Sequence, residues 1–275
     1  MIQKKTQNIK SPLRYPGGKS KAIKFLKNHI AGFDEFREPF FGGGSVSFFA
    51  SQHHQERRFL ATELYYELYC FWSQLKTEKI RLVNAVRAIR EQYHEGRSLY
   101  REIMARRDGE LSDFQRAVDF FILNRITFSG VADSGGYSDA SFHKRFTASS
   151  IDRLAAAIEI IEKIEITHDD YSALLKKPGQ NVLIFLDPPY YSVTGSKLYG
   201  KKGNLHTTFD HERLFNTLKN CPHRWLMTYD NCDYVREKYQ EFEVKSWELQ
   251  YGMNNYKQGN AAMGKELLIA NFPLN

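Results

Sequence analysis

Four consecutive residues, Asp187-Pro188-Pro189-Tyr190, combine groups that suit recognition of an amino group on a planar heterocycle. They follow the apolar run Val182–Leu186, which is typical of a buried strand in a parallel sheet. Ligands bind at the carboxyl ends of such strands. Because the prolines supply no N–H, the loop offers a carboxylate, carbonyl acceptors and an aromatic face. Taken alone, the four residues are equally compatible with a plain structural turn.

A second motif, Glu38-Pro39-Phe40-Phe41-Gly42-Gly43-Gly44-Ser45, follows a short predicted strand and opens a helical pattern. Glycines at a helix N-terminus let the backbone approach a ligand closely. Glu63 lies nineteen residues after Gly44, where an acidic side chain can bind both hydroxyls of a ribose. The spacing departs from the GxGxxG fingerprint and from the phosphate-binding loop. The pattern therefore predicts a nucleoside-containing cofactor without identifying it.

The elements that must position these motifs alternate between strands and helices in the first seventy and the last hundred residues. This alternation predicts an α/β fold with a mostly parallel, doubly wound sheet. The last two strands have no helix between them, which predicts an antiparallel edge. The predicted strands are Phe36–Phe40, Arg58–Glu63, Ile164–Thr167, Val182–Asp187, Arg224–Tyr229, Glu243–Leu249 and Lys265–Phe272. Helices are predicted at Lys19–His29, Val46–Gln52 and His211–Asn220.

The middle of the chain reads differently and predicts an inserted, mainly helical lobe. Apolar residues recur near every 3.6 positions in Lys79–Tyr93, Leu99–Arg106 and Asp113–Ile126. The Gly-, Ser- and Asp-rich segment that follows predicts a hairpin or an exposed loop. We therefore expect a discontinuous domain, residues 1–75 and 164–275, interrupted by a lobe of residues 76–163.

Composition and charge indicate a cytoplasmic protein with a basic helical surface. The net charge is +7, and residues 76–107 hold nine Lys or Arg against four Glu, so that most of the excess lies in the lobe. A basic helical surface of this kind can follow phosphates. No apolar run is long enough to span a membrane, and the N-terminus lacks a signal core, so we expect a cytoplasmic protein. The three cysteines show no metal-ligand spacing, and no metal site is expected.

In this order, the motifs resemble those of the Dam-like adenine-N6 DNA methyltransferases. The resemblance rests on Pro16-Gly17-Gly18-Lys19, Glu38-Pro39-Phe40 with Gly42 and Gly44, and Asp187-Pro188-Pro189-Tyr190, and it covers nearly the whole chain. It implies a Rossmann-like class I methyltransferase sheet, S-adenosylmethionine as the cofactor, and transfer of a methyl group to adenine in double-stranded DNA after base flipping. The lobe then takes the place of the family's target-recognition domain.

Roles for individual residues follow from the resemblance. Asp187, Pro188, Pro189 and Tyr190 become the catalytic residues, with Asp187 and the Pro188 carbonyl accepting the amino hydrogens and Tyr190 stacking on the base. Tyr191 is interpreted as a core residue. The cofactor-binding residues become Tyr15, Lys19, Glu38, Pro39, Phe40, Gly42, Gly44, Glu63, Asp170 and Asp187. Glu63 stands where the family has Asp, and Asp169 beside Asp170 leaves the register of the adenine contact open.

The resemblance also points to the surface that contacts DNA. Arg14 stands where the family has a basic residue near DNA, and Asn124 with Phe128 and Gly130 resembles the start of its DNA-reading hairpin. Base readout is expected around Thr127–Phe146, with Arg125, Lys144 and Arg145 as candidates. Thr194–Thr208 is interpreted either as a loop closing over the flipped base or as a plain surface loop. The tail Tyr251–Ala270 resembles the family's closing strand.

Other interpretations stay open on the sequence alone. The same acceptor loop fits the N4 amino group of cytosine, and the basic lobe fits structured RNA as well as DNA. A DNA-binding module with a degenerate site is a third hypothesis, which the intact Asp187 and glycine loop argue against. The sequence does not decide whether a restriction endonuclease acts on the same sites. A monomer is the default expectation.

Overall fold

A computed structural model describes residues 8–191, 208–250 and 263–274 and contains a seven-stranded sheet in the order β3-β2-β1-β4-β5-β7-β6. Strands β1 to β5 are parallel, whereas β7 runs antiparallel to both β5 and β6. The predicted α/β fold, mostly parallel with an antiparallel edge, is confirmed. The strands are β1 (Glu35–Glu38), β2 (Arg58–Thr62), β3 (Ile164–Thr167), β4 (Val182–Leu186), β5 (Arg224–Asp230), β6 (Glu243–Gln250) and β7 (Met263–Ala270).

The central strands are buried on both faces, as their sequences require. In β4, Leu183 and Phe185 belong to one cluster of buried side chains, while Ile184 and Leu186 belong to a second cluster. Successive side chains of a strand point to opposite faces, so an unbroken apolar run needs cover on both sides. The order of strands reverses between β1 and β4, and this switch point opens a crevice at their carboxyl ends.

The helices cover both faces of the sheet and form the inserted lobe. They are α1 (Ile23–Leu26), α2 (Ser45–His53), α3 (Tyr66–Thr77), α4 (Lys79–Gln92), α5 (Gly96–Arg106), α6 (Asp113–Ile126), α7 (Asp139–Arg145), α8 (Ala148–Ile161), α9 (Tyr171–Lys176), α10 (His211–Lys219) and α11 (Asp233–Lys238). Buried side chains of the lobe, such as Leu99 and Phe142, belong to the same cluster as Phe36 and Leu183 of the sheet. The lobe and one face of the sheet therefore share a single core.

The segment predicted as a hairpin or exposed loop combines a tight loop and a helix. A single antiparallel bridge joins Thr127 to Tyr137, and a 3₁₀ turn covers Phe128–Gly130. Gly130 and Gly136 have φ of 76° and 61°, values that favour glycine. Ser138 then caps α7, which forms the rest of the segment. Residues 127–137 belong to the segment predicted to read DNA bases and are called, after that prediction, the recognition loop below.

Element boundaries differ from the predicted ones by a few residues. Strand β1 ends at Glu38 rather than Phe40, and Pro39 that follows it has no N–H to continue the ladder. The predicted helix Lys19–His29 begins as a 3₁₀ turn at Lys19–Lys21. Residues 194–207 of the predicted mobile loop and 251–262 of the predicted closing strand lie outside the described residues. Within the described ranges, none of the helices has the length and apolar character that crossing a membrane requires.

Candidate functional site

A cavity of about 860 Å³ lies at the carboxyl ends of the parallel strands. It opens at the β1–β4 switch point, where the loops after both strands diverge. All of the residues predicted to be catalytic or to bind the cofactor line it. Its lining includes Tyr15, Lys19, Glu38, Pro39, Phe40, Gly42, Gly44, Glu63, Asp170, Asp187, Pro188, Pro189 and Tyr190, together with Tyr65, Ser129, Tyr171 and Arg213.

Asp187 is held by two side chains at the end of β4. Lys19 Nζ lies 2.7 Å from Asp187 Oδ1 and 2.9 Å from Oδ2, and its side chain is almost fully buried. Thr228 Oγ1, on the neighbouring strand β5, donates to Asp187 Oδ1 at 2.8 Å. A carboxylate has about four lone-pair positions, so these contacts leave capacity for a hydrogen bond from a ligand. The carboxylate is thus fixed in position and remains able to accept an N–H.

Tyr190 presents its ring beside this carboxylate. Its ring meets Tyr229 edge to face at a centroid distance of 6.0 Å, and Lys19 Nζ lies 5.1 Å from the Tyr190 centroid. These contacts hold the ring in one orientation at the cavity wall. Tyr191 was expected in the core, and this expectation is wrong. It is 39% exposed, and its ring stacks on that of Tyr234 at a centroid distance of 4.0 Å.

The glycine loop packs directly on Tyr15. Gly42 has φ of 49°, and a Cβ built there would lie 2.7 Å from Tyr15 Cε1. Gly44 has φ of 65°, and a Cβ there would lie 2.7 Å from Phe41 Cζ. Only glycine satisfies both the backbone angle and the space at these two positions. The loop therefore brings backbone, rather than side chains, to the edge of the cavity.

Two buried glutamates lie on either side of this loop. Burial raises the pKa of Glu38 to about 8 against the opposing hydrogen bonds from Ser47, and the charges of Asp187 and Glu63 add to the rise. Burial likewise raises the pKa of Glu63 to about 7, although Glu63 accepts hydrogen bonds from Tyr65 N at 2.9 Å and Gly42 N at 2.8 Å. Both groups therefore change charge near neutral pH.

Asp170 and Arg213 form a bidentate pair at another part of the cavity wall. Arg213 donates to Asp170 Oδ1 at 2.6 Å and to Oδ2 at 3.1 Å, and Asp170 caps α9 through Ser172 N at 3.0 Å. Partial burial acts to raise the pKa of Asp170, but the hydrogen bonds from Arg213 and Ser172 outweigh it and lower the pKa. Asp169 is exposed and does not line the cavity. The geometry thus favours Asp170 in the ambiguous register.

The residues predicted to contact DNA divide into two groups. Asn124 is 1% exposed and Arg125 is 3% exposed, and both bind backbone carbonyls: Asn124 those of Arg14 and Gly130, Arg125 that of Pro12. Their burial argues against the prediction that they touch DNA directly. The last ten residues of helix α6 are all buried, including their polar side chains. Arg14 is partly buried, whereas Lys144 and Arg145 are exposed on α7.

Sequence reasoning missed several residues of the site. Thr228 holds Asp187, Arg213 holds Asp170, and Tyr171 stacks on Phe40 at a centroid distance of 5.1 Å. Thr228 interrupts the run of large apolar and aromatic residues between Trp225 and Tyr229 in strand β5, a pattern that could have identified it. Arg213 follows the capping Asp210 of α10, which gave no comparable signal.

A family model for D12 class N6 adenine-specific DNA methyltransferases matches residues 15–253. The chain is also similar to the DNA N-6-adenine-methyltransferase of Escherichia phage P1, at 23% identity over 84% of this chain and 31% of the phage protein. It therefore spans about a third of that relative's length. The type II methyltransferase M.MjaIII of Methanocaldococcus jannaschii is 19% identical over 96% of this chain and 99% of its own. The DNA adenine methylase of Vibrio cholerae serotype O1 is 23% identical over 74% and 73% of the two chains.

Proposed function

This chain belongs to the D12 class of N6 adenine-specific DNA methyltransferases, and we propose that it methylates adenines flipped out of double-stranded DNA, with S-adenosylmethionine as the methyl donor. The observation that carries the proposal is the Asp187 carboxylate, fixed by Lys19 and Thr228 beside the Tyr190 ring. An exocyclic amino group needs acceptors for its hydrogens and a flat surface for its ring, and this corner of the cavity offers both.

The cavity has the properties that S-adenosylmethionine requires. Its volume falls in the range of roughly 300–1,000 Å³ that is usual for ligand pockets. Among the described lining residues, six acidic side chains (Glu38, Glu63, Asp170, Asp187, Asp210, Asp230) outnumber three cations (Lys19, Arg213, Lys265). Glu38 and Glu63 are only partly ionised near neutral pH, but the other four acids alone still outnumber the cations, which suits a ligand with a sulfonium and an ammonium group. The side-chain-free edge at Gly42 allows close approach. We assign the ribose hydroxyls to Glu63 and the cofactor's adenine to Asp170.

Catalysis in this proposal depends on position and electrostatics. S-adenosylmethionine, when bound, supplies a methyl group that its sulfonium makes electrophilic. The lone pair of the adenine amino nitrogen is delocalised into the ring, so the nitrogen is a weak nucleophile. Hydrogen bonds to Asp187 and to the Pro188 carbonyl favour a pyramidal nitrogen and orient its lone pair. The charge of Asp187 stabilises the positive charge that develops on that nitrogen, and its oxygen can take the departing proton.

The substrate must leave the base stack, because N6 is unreachable inside a duplex. Stacking on Tyr190 offsets part of the unstacking free energy, which is a few kcal/mol. Phe128 of the recognition loop is 60% exposed, and its neighbour Ser129 lines the cavity. An exposed aromatic ring at this place can contact the bases beside the flipped one, while Lys144 and Arg145 can reach phosphates.

The function is tested by transfer of labelled methyl groups from S-adenosylmethionine to unmethylated genomic DNA, followed by nucleoside analysis. We expect the label in N6-methyladenine. Label in N4-methylcytosine would contradict the assigned base. Transfer to RNA but not to DNA would contradict the assigned nucleic acid. Sequencing of the modified sites would then give the target motif.

Asp170 and Asp169 provide a matched pair for the cofactor assignment. We expect Asp170→Asn to weaken S-adenosylmethionine binding roughly tenfold or more, since hydrogen bonds to a charged group contribute about 1.5–3 kcal/mol. Asp169→Asn should leave binding unchanged, because Asp169 is exposed outside the cavity. Isothermal titration calorimetry of both variants measures the difference. Equal affinities for the two variants would remove Asp170 from the cofactor site.

Cofactor affinity should depend on pH through Glu63, whose pKa is raised to about 7. The ionised carboxylate accepts both ribose hydroxyls, whereas the protonated form that dominates below pH 7 does so poorly. We therefore expect the dissociation constant at pH 6 to be up to about tenfold higher than at pH 8. Glu63→Gln should abolish the change in cofactor affinity near pH 7. Any change in affinity that remains near pH 8 in this variant is assigned to the titration of Glu38. A pH-independent affinity in the wild-type protein would refute the assignment.

A further inference from the structure

Tyr65 joins the predicted cofactor site to the lobe. Its backbone N donates to Glu63 Oε1 at 2.9 Å, and the residue lines the cavity. Its hydroxyl accepts a hydrogen bond from Arg107 Nη2 at 3.1 Å, at the far end of α5. A ligand that binds Glu63 therefore acts on a residue whose side chain is anchored in the lobe.

Arg107 extends the connection to the recognition loop. The same Nη2 pairs with Asp133 Oδ1, and Nη1 donates to the Ala132 carbonyl at 3.0 Å. Burial raises the pKa of Tyr65 well above its usual value, and the charge of Asp133 acts in the same direction. The Arg107 and Asp133 side chains are mostly buried, at 14% and 10% exposure. Tyr65, Arg107 and Asp133, called the tyrosine–arginine cluster, thus form a sheltered polar contact.

The recognition loop bound by this cluster also contains Phe128, which is proposed to contact the bases beside the flipped adenine. Phe128 is exposed, and Ser129 lines the cavity with φ of 55°, a conformation that is unfavourable for a residue with a side chain. Backbone in such a conformation persists only where its surroundings fix it. The cluster helps to hold the loop in this conformation, because Arg107 binds two consecutive loop residues, the Ala132 carbonyl and the Asp133 carboxylate.

We propose that the tyrosine–arginine cluster couples cofactor binding at Glu63 to the conformation of the recognition loop, so that bound cofactor increases the affinity for DNA. This inference rests on the proposed function. Arg107 acts as a positioning residue, since it lies between the two sites and touches neither proposed ligand. Thermodynamic linkage requires the effect to be reciprocal: DNA must increase cofactor affinity by the same factor.

The experiment measures the dissociation constant of S-adenosylhomocysteine, which cannot donate a methyl group, with and without saturating unmethylated genomic DNA. We expect the wild-type ratio of the two constants to be at least about fivefold, the lower end of common coupling factors. Arg107→Met should reduce the ratio to below about twofold. Tyr65→Phe removes only the hydroxyl and should reduce it as well, which keeps the test valid if Arg107→Met fails to fold.

Arg116→Met is the matched control. Arg116 also joins the lobe to α3, through Glu67, and is similarly buried, but neither residue lines the cavity or touches the recognition loop. This variant should keep the wild-type ratio, whatever its effect on thermal stability. A wild-type ratio near one, or equal ratios in the wild type and Tyr65→Phe, would overturn the coupling. Methyl transfer by the wild type tests the proposed function separately, because its absence with a normal ratio would refute methylation and leave the coupling intact.

Discussion

Asp187→Ala should abolish methyl transfer while S-adenosylmethionine binding stays detectable. Asp187 is proposed to accept an amino hydrogen and to stabilise the charge that develops on the nitrogen. Loss of one such preorganised electrostatic partner reduces turnover by about 10²–10³-fold. The cofactor keeps its proposed contacts with Glu63, Asp170 and the glycine loop. Single-turnover transfer of labelled methyl groups, with calorimetric binding of the cofactor to the same variant, measures both effects.

Two further variants make this test specific. Asp187→Asn keeps the size of the side chain but leaves the buried Lys19 ammonium without its counterion, and it should lose nearly as much activity. Thr228→Val removes only the hydroxyl that donates to Asp187 Oδ1. A hydrogen bond to a charged carboxylate contributes about 1.5–3 kcal/mol, so its loss should reduce turnover by roughly 10- to 150-fold. If Asp187→Ala retained more than a few per cent of wild-type turnover, Asp187 would have no part in the chemistry.

Tyr190→Ala should reduce kcat/KM by roughly 5- to 150-fold, because base–aromatic stacking is worth about 1–3 kcal/mol. Tyr190→Phe keeps the ring and should stay close to the wild type. The ring is already oriented by its edge-to-face contact with Tyr229, which the phenylalanine preserves. Steady-state kinetics on DNA measures the loss. Fluorescence of 2-aminopurine at the target position reports extrusion of the base directly.

Tyr191→Ala is the internal control for stacking. Tyr191 is adjacent in sequence, but its ring stacks on Tyr234 and it does not line the cavity. We expect its kcat/KM within about threefold of the wild type, the small effect usual for surface positions. Equal losses in Tyr190→Ala and Tyr190→Phe would assign the effect to the hydroxyl and contradict a stacking role.

The sequence predicts the sheet and the position of Asp187 because both depend on local pattern. The run Val182–Leu186 is apolar at every position, as a strand buried on both faces must be, and the residue after it reaches the ligand edge. The antiparallel edge followed from the missing helix between the last two strands. Glycine at positions 42 and 44 was informative for a similar reason, since each meets a local steric requirement.

The partners of the site residues could not be predicted, because they come from distant parts of the chain. Lys19 meets Asp187 across 168 positions, and Arg213 meets Asp170 across 43. Arg37 is fully buried inside β1, where its guanidinium binds Glu35 and the carbonyls of Leu174, Lys177 and Pro178. Residue type alone suggests a surface position for such a side chain. Asn124 and Arg125 were predicted to contact DNA from the family resemblance and their place beside the recognition loop, but both side chains are buried in α6 and bind backbone carbonyls.

The placement of β1 between β2 and β4 has a consequence for the chain during synthesis. Glu35 pairs with Arg58 on one side and with Val182 on the other, so one edge of β1 stays open until the whole lobe has left the ribosome. An unpaired edge of a central strand can pair with other chains. A fragment ending before residue 182 therefore has the glycine loop and the lobe but exposes this edge and lacks Asp187. Such a fragment would be an aggregation-prone intermediate rather than an independent DNA-binding module. The lobe proposed to recognise DNA and the strand that carries Asp187 must therefore fold together.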